Sequence, residues 1–204
     1  CSSTCSRGTA SRWWPWRSDR ADVAWSFLSG ADPEVSVVMP CLNEEATVGA
    51  CVRQALAAMA RSGLSGEVVV ADNGSTDASA EFAAAAGARV VAAPVRGYGA
   101  AYSAGLAAAR GRYLVLGDAD GTYDFDRVPD FVLKLRDGND LVLGSRFAGQ
   151  ILPGAMPWLH RYVGNPALTG ILGIFFGRRV SDAHCGMRAL TREAYDRMRL
   201  RTTG

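Results

Sequence analysis

Five short apolar runs, at 35–39, 67–71, 88–92, 113–117 and 140–144, alternate with alanine-rich segments at 44–61, 77–86, 99–110 and 126–136. The runs are β-branched or leucine-rich and lack strict alternation, as strands covered on both faces do. The first four runs are spaced as in βαβ units, whose crossover helices force neighbouring strands to lie parallel. Gly63, Gly87, Gly111 and Gly138 each fall just past a helical segment, where a left-handed residue closes a helix. Asn43 is expected to cap the first helix, with Glu44 and Glu45 in its first turn against the positive end of the dipole. Through about residue 150 these signals predict an α/β sandwich: a mostly parallel sheet with helices on both faces.

Ligands of such sheets bind beyond the carboxyl ends of the strands, and polar residues gather there. Pro40-Cys41-Leu42-Asn43-Glu44-Glu45 follows the first strand and Asp72-Asn73-Gly74-Ser75-Thr76-Asp77 the second. Asp118-Ala119-Asp120 follows the fourth and Ser145-Arg146-Phe147 the fifth. Strand side chains repeat every second residue, so Asp118 and Asp120 can lean to one side where the fourth strand ends. Paired carboxylates of this kind suit a hard divalent cation, Mg²⁺ or Mn²⁺, that also carries phosphate oxygens. On its own the pair also serves as a polar turn after a buried strand. Asp72 can accept hydrogen bonds from a base or a ribose, and it can equally form an Asx turn into the next helix.

Other chemistries find little support. Arg96-Gly97-Tyr98-Gly99-Ala100-Ala101-Tyr102 opens a helix but fails the dinucleotide pattern, because Tyr102 stands at the third glycine position and the loop follows the third strand. There is no Gly-x-x-x-x-Gly-Lys phosphate loop and no Gly-x-Ser-x-Gly elbow, and only His160 and His184 offer histidine bases. His184 beside Cys185 reads as a turn residue next to a small buried thiol. A net charge of +2 makes no case for nucleic acid. The five cysteines show neither zinc spacing nor a dense disulfide pattern, which fits a reducing, cytosolic setting.

Residues 1–33 are rich in Ser, Arg and Trp without sustained periodicity and read as a flexible extension; Trp13, Trp14 and Trp16 beside Arg12 and Arg17 also suit a membrane interface. Residues 151–204 read as an amphipathic helical region. Its apolar stretches 151–159 and 167–176 are too short to span a bilayer. Flanked by Trp158, His160, Arg161, Arg178 and Arg179, they suit either the membrane surface or a core helix covering the sheet edge.

Taken in order, Val37-Val38-Met39-Pro40-Cys41-Leu42-Asn43-Glu44-Glu45, Ala71-Asp72-Asn73-Gly74-Ser75-Thr76-Asp77, Gly97-Tyr98-Gly99, Gly117-Asp118-Ala119-Asp120, Gly144-Ser145-Arg146-Phe147 and Asp182-Ala183-His184-Cys185-Gly186-Met187-Arg188 resemble the inverting family 2 glycosyltransferases of the GT-A fold. Within them the likeness is to the branch that makes polyprenyl-phosphate sugars, including dolichyl-phosphate mannose synthases. The resemblance covers residues 34–200, with 34–150 as the nucleotide-sugar core and 151–204 as the acceptor and membrane-interface region. It implies that Pro40, Asn43, Glu45 and Asp72 line the nucleotide pocket, that Asp118 lies near ribose and metal, and that Asp120 is the principal ligand of Mg²⁺ or Mn²⁺. It places Arg146 and Arg161 on the acceptor phosphate, with Asp182 as the carboxylate on that side.

The expected reaction is transfer of a hexose from UDP-glucose, UDP-N-acetylglucosamine or GDP-mannose to a polyprenyl phosphate at the cytoplasmic membrane face. The chain begins at Cys1 and stops at Gly204 after a helix-like segment, so it reads as a fragment whose relatives carry transmembrane helices further on. Three rivals stay open. A soluble or saccharide acceptor would need a carboxylate base, for which Asp182 is the candidate. A nucleotidyltransferase would need a basic glycine-rich loop near the first strand. A nucleotide-sugar-binding fragment would bind without turnover.

Overall fold

The computed structural model describes residues 32–145 and 185–198. Strands β1 (Val35–Cys41), β2 (Gly66–Asp72), β3 (Arg89–Ala92) and β4 (Tyr113–Leu116) pair in parallel, as the βαβ spacing requires. Two further strands, β5 (Leu141–Leu143) and β6 (Arg188–Thr191), complete a six-stranded sheet in the order β3-β2-β1-β4-β6-β5. β6 corrects the expectation of simple alternation. It runs antiparallel between β4 and β5, so the fifth sequence run does not border the fourth, and 188–191 belongs to the sheet rather than to a helical tail.

Every residue of β1 is buried. Val35, Val37 and Met39 join one core with Val48, Val52 and Met59 of helix α1 (Val48–Arg61), while Val38 joins a second with Leu106 and Leu114. Both faces are therefore covered, and each fully buried valine contributes about 1.5–3 kcal/mol. On α1 the residues Val48, Cys51, Val52, Ala55 and Met59 recur at helical spacing and form the buried stripe. Helices α2 (Ser79–Ala85) and α4 (Val128–Arg136, entered through a 3₁₀ turn at Phe125–Arg127) share that side through Ala83, Phe131 and Val132. α3 (Tyr98–Ala108) and α5 (Arg192–Met198) cover the other through Leu106 and Tyr195.

The entry to α1 differs from the sequence reading. Asn43 adopts φ 58°, and helical geometry begins only at Val48, behind a turn in which the amides of Thr47 and Val48 donate to the carbonyl of Glu44. Asn43 is thus not the cap, and Glu44 and Glu45 lie outside the first turn, because tertiary partners claim those groups. The closing glycines hold at Gly63, Gly87 and Gly138, all with positive φ. Gly111 is different: the chain leaves α3 in extended conformation, and a Cβ there would lie 2.5 Å from the amide nitrogen of Ser36. It is glycine for close backbone approach.

α3 carries the chain from β3 back across β2 and β1 to β4. Arg192, at the start of α5, fastens the end of α3 by donating to the carbonyls of Leu106, Ala109 and Gly111. Gly105 lets the helix lie close on the sheet, since a Cβ would meet Val38 Cγ1 at 2.5 Å. Ala at 105 would gain about 1 kcal/mol of helix propensity and lose about 1–3 kcal/mol to overpacking. Gly105→Ala is therefore expected to lower unfolding free energy by up to about 2 kcal/mol in urea titration, a raised midpoint being the contrary result.

Candidate functional site

Strand order reverses at β1: β2 and β3 lie to one side and β4 to the other. A crevice is expected at the carboxyl ends flanking such a reversal, and a cleft of about 350 Å³ opens there. It is lined by Pro40 and Cys41 at the end of β1, Leu42 and Glu44 after it, Asn73 after β2, Arg96, Gly97, Tyr98 and Ala101 around the start of α3, and Asp118, Ala119 and Asp120 after β4.

The two loops flanking the β1–β2 edge are joined by a ladder of hydrogen bonds. The Asn43 amide donates to Ser75 Oγ (3.0 Å), and Asn43 Oδ1 accepts from the Thr76 amide (2.8 Å). The Glu44 amide donates to Ser79 Oγ (2.7 Å), a fully buried hydroxyl that in turn bonds Asp77 Oδ1. The Glu45 amide donates to Asp77 Oδ2 (3.2 Å), while Glu45 Oε2 accepts from the Ala78 amide (3.1 Å). The left-handed backbone of Asn43, which Asn tolerates better than most residues, turns its side chain onto the neighbouring loop. Of the four residues expected to line a nucleotide pocket, Pro40 lines the cleft, whereas Asn43 and Glu45 belong to the ladder that holds its wall. Asp72 ends β2 with Oδ1 accepting from the Ser75 amide at 3.2 Å, three residues on and so longer than the expected Asx turn, and is not among the lining residues.

Its neighbour Asn73 was not singled out from sequence, where it reads as part of a turn. It is 6% exposed. Its Nδ2 donates to the carbonyls of Ala93 (2.9 Å) and Val95 (2.8 Å), and its Oδ1 accepts from the Gly97 amide (2.9 Å). One side chain thus fixes the strand-to-helix loop that brings Arg96 and Tyr98 to the cleft.

The paired acids sit where the sequence placed them. Asp118 is half-buried, and its Oδ1 accepts from Tyr98 Oη (2.8 Å) and Tyr102 Oη (2.9 Å). Asp120 is exposed, with Oδ1 accepting from the Thr122 amide (2.8 Å). Between them Ala119 is buried, and its carbonyl accepts from the Cys51 thiol (3.6 Å), which anchors the loop to α1. Burial pushes the Cys51 thiol above its ordinary value. Burial, aided by the Asp118 charge, raises Tyr98 to about 12 and holds Tyr102 well above the ordinary range. Both phenols therefore remain donors near neutrality. Tyr102, the residue that spoils the glycine pattern, is a partner of the first acid.

Among the described lining residues three carboxylates, Glu44, Asp118 and Asp120, face one guanidinium, Arg96, which leaves two negative charges in excess. Such a cleft favours a cation and repels a bare polyanion. No three His, Cys, Asp or Glu residues converge as a closed metal site among the described residues. Two carboxylates suit a hard cation that takes its other oxygens from phosphate and water. The donor set therefore fits Mg²⁺ or Mn²⁺ bound together with a diphosphate.

β6 brings Cys185 and Gly186 to the same end of the sheet. A Cβ at Gly186 would meet Tyr123 Oη at 2.1 Å, so the ring of Tyr123, just beyond Asp120, packs against that glycine. The Ser145 hydroxyl after β5 is buried and has no hydrogen-bond partner among the described residues. Arg146, Arg161 and Asp182 lie outside the described residues, as do His160, His184 and the stretches 151–159 and 167–176.

The profile of glycosyl transferase family 2 matches residues 36–199. The low-salt glycan biosynthesis hexosyltransferase Agl6 of Haloferax volcanii is 48% identical over 184 residues, 90% of this chain and 44% of that protein. The dolichyl-phosphate hexose transferase of the same organism is 36% identical over 162 residues, 78% of this chain and 67% of that protein. The crystal structure of glucosyl-3-phosphoglycerate synthase from Mycobacterium tuberculosis with Mn²⁺, uridine-diphosphate-glucose and phosphoglyceric acid superposes with a TM-score of 0.59 at 32% identity, covering 79% of this chain and 57% of that one. The chain spans about half the length of Agl6 and of the synthase.

Two outcomes follow for the cleft walls. Asn73→Ala leaves an amide and two carbonyls unpaired and is expected to cost about 1–3 kcal/mol, with faster hydrogen exchange at the Gly97 amide; unchanged exchange there would contradict the staple. The Ser79 hydroxyl, then the amides of Ser79 and Glu45, hold the Asp77 carboxyl below its ordinary 3.8. A depressed folded-state value stabilises above the unfolded one and is lost as pH falls through the folded one. Urea midpoints of the wild type and Asp77→Asn should accordingly differ at pH 7 and converge as pH falls below the ordinary carboxylate value of 3.8 and through the depressed folded-state one.

Proposed function

The chain belongs to glycosyl transferase family 2, and we propose that it transfers a hexose from a nucleoside diphosphate sugar to a polyprenyl phosphate. The observation that carries this reading is the pair Asp118 and Asp120 beyond β4, in a negatively charged cleft at the strand-order reversal. In that cleft the nucleoside lies against Pro40 and Leu42; Asp72, outside the lining at the β2 end, shapes the turn to Ser75 rather than meeting base or ribose. Asn43 and Glu45 hold the wall behind it. Asp118 and Asp120 hold Mg²⁺ or Mn²⁺, Asp120 as principal ligand, and Arg96 adds a forked donor for the diphosphate. The cation, when bound, neutralises charge on the departing diphosphate.

A phosphate monoester is already anionic near pH 7, so the acceptor oxygen needs alignment and charge balance more than a strong base. Arg146 and Arg161 supply forked donors for it, with Asp182 beside them. Attack by the phosphate oxygen forms its bond to the anomeric carbon as the bond to the nucleoside diphosphate breaks, and the centre inverts. The names of Agl6 and of the dolichyl-phosphate hexose transferase support a hexose and a lipid phosphate. The synthase structure supports Mn²⁺ and UDP-glucose, and its phosphoglyceric acid supports a second reading in which the acceptor is a soluble phosphate-bearing acid. GDP-mannose and UDP-N-acetylglucosamine remain in the donor panel.

No helix among the described residues is long and apolar enough to cross a membrane. We place the reaction at the cytoplasmic membrane face, where residues 151–184 would meet the lipid.

Radiolabelled donor should yield an organic-extractable product with polyprenyl phosphate and none with 3-phosphoglycerate; the reverse would establish the second reading. Asp120→Asn is expected to lower transfer by at least about 100-fold at unchanged thermal midpoint. Near-wild-type turnover of that variant with added Mn²⁺ or Mg²⁺ would sink the metal assignment. Arg146→Ala should raise the acceptor KM while leaving donor affinity unchanged, and equal losses in both would count against its place on the acceptor.

A further inference from the structure

We propose that Tyr98 and Tyr102 are positioning residues for donor binding: their hydroxyls converge on one oxygen of Asp118, so that only the other oxygen is offered to the donor. The inference rests on the nucleotide-sugar reading above and names residues that the reading does not use.

Tyr98 and Tyr102 lie one turn apart on α3, so their side chains share a face of the helix. Their rings meet edge to face, with centroids 5.0 Å apart and planes at 83°, an arrangement that aromatic quadrupoles favour. Both phenols donate to Asp118 Oδ1, at 2.8 and 2.9 Å, and the remaining Oδ2 has no hydrogen bond to another described residue. A carboxylate with one oxygen held by two donors has lost its freedom to rotate about its terminal bond. Its second oxygen then points in a set direction, and it accepts from a ribose hydroxyl or meets the cation without first being ordered.

The two tyrosines differ in setting. Tyr98 is 59% exposed and lines the cleft, whereas Tyr102 stands behind it and is half-buried. Tyr102 packs against the second core cluster, which holds Leu106 and Val38, and the close seat of α3 at Gly105, three residues on, fixes its height above the sheet. Asn73, through the Gly97 amide, fixes the start of the same helix. The clamp is therefore set by the scaffold rather than by the loop that bears the acids, and Tyr102 is its stronger arm. The requirement for tyrosine also explains a sequence in which the third position of a glycine motif holds a large aromatic residue.

A double-mutant cycle tests this, because Tyr→Phe keeps the ring and removes only the donor. The probe is the donor, among UDP-glucose, UDP-N-acetylglucosamine and GDP-mannose, that binds the wild type most tightly by calorimetry with Mn²⁺. Tyr102→Phe should weaken its dissociation constant about tenfold and Tyr98→Phe about threefold, with thermal midpoint and acceptor KM unchanged. On the Asp118→Ala background, which removes the shared acceptor oxygen, the same Tyr102→Phe change should add less than about twofold. A Tyr102→Phe protein that binds the donor like the wild type would overturn the clamp and leave the nucleotide-sugar reading standing. So would a loss that is as large on Asp118→Ala as on the wild type. A wild type that binds none of the three donors would overturn both.

Discussion

Reversal of strand order at β1 governs everything that the described part of the chain does. Because β2 and β3 extend to one side of β1 and β4 to the other, the carboxyl ends of β1 and β4 border one crevice, and the loops after them face each other across it. A parallel pair cannot be joined by a tight turn, so the chain must return from β3 to β4 by a crossover. That crossover is α3, held close to the sheet at Gly105 and fastened at its end by Arg192. Its other end brings Arg96 and Tyr98 to the crevice and sets Tyr102 behind them. The placement of the polar groups is thus a consequence of topology and close packing.

Charge then decides what the crevice can hold. Three carboxylates against one guanidinium oppose a bare diphosphate, and the same carboxylates with a divalent cation accept it. The walls are held in advance: the Asn43–Glu45 and Ser75–Ser79 segments bond to each other, Asn73 ties the start of α3, and the Cys51 thiol ties the loop between the two acids. Groups ordered before the ligand arrives need not be ordered by it, which favours binding. In a family 2 glycosyltransferase that preorganisation serves the donor side.

Much of this was legible in the sequence, for identifiable reasons. β1, β2 and β4 are valine- and leucine-rich and buried on both faces, so their signal survives without tertiary knowledge. The acids at 118 and 120 were legible because a buried strand stops at them. β6 was not legible, since Arg188-Ala189-Leu190-Thr191 is short, begins with an exposed arginine and becomes a strand only through its partners β4 and β5. The start of α1 was misplaced because Asn43, Glu44 and Glu45 have the composition of a helix cap, and the neighbouring loop claims their groups instead. Asn73 was hidden within a turn signature. Tyr102 was counted only as the failure of a motif, because its partner lies sixteen residues away in sequence and meets it through the crossover.

Anomalous scattering from Mn²⁺ in crystals grown with UDP is the direct test of a cation held by the paired acids. One peak is expected in the cleft, within coordination distance of the Asp120 carboxylate and of the diphosphate, and lost in Asp120→Asn crystals. UDP bound in the cleft with no metal peak, or a peak remote from Asp118 and Asp120, would contradict it.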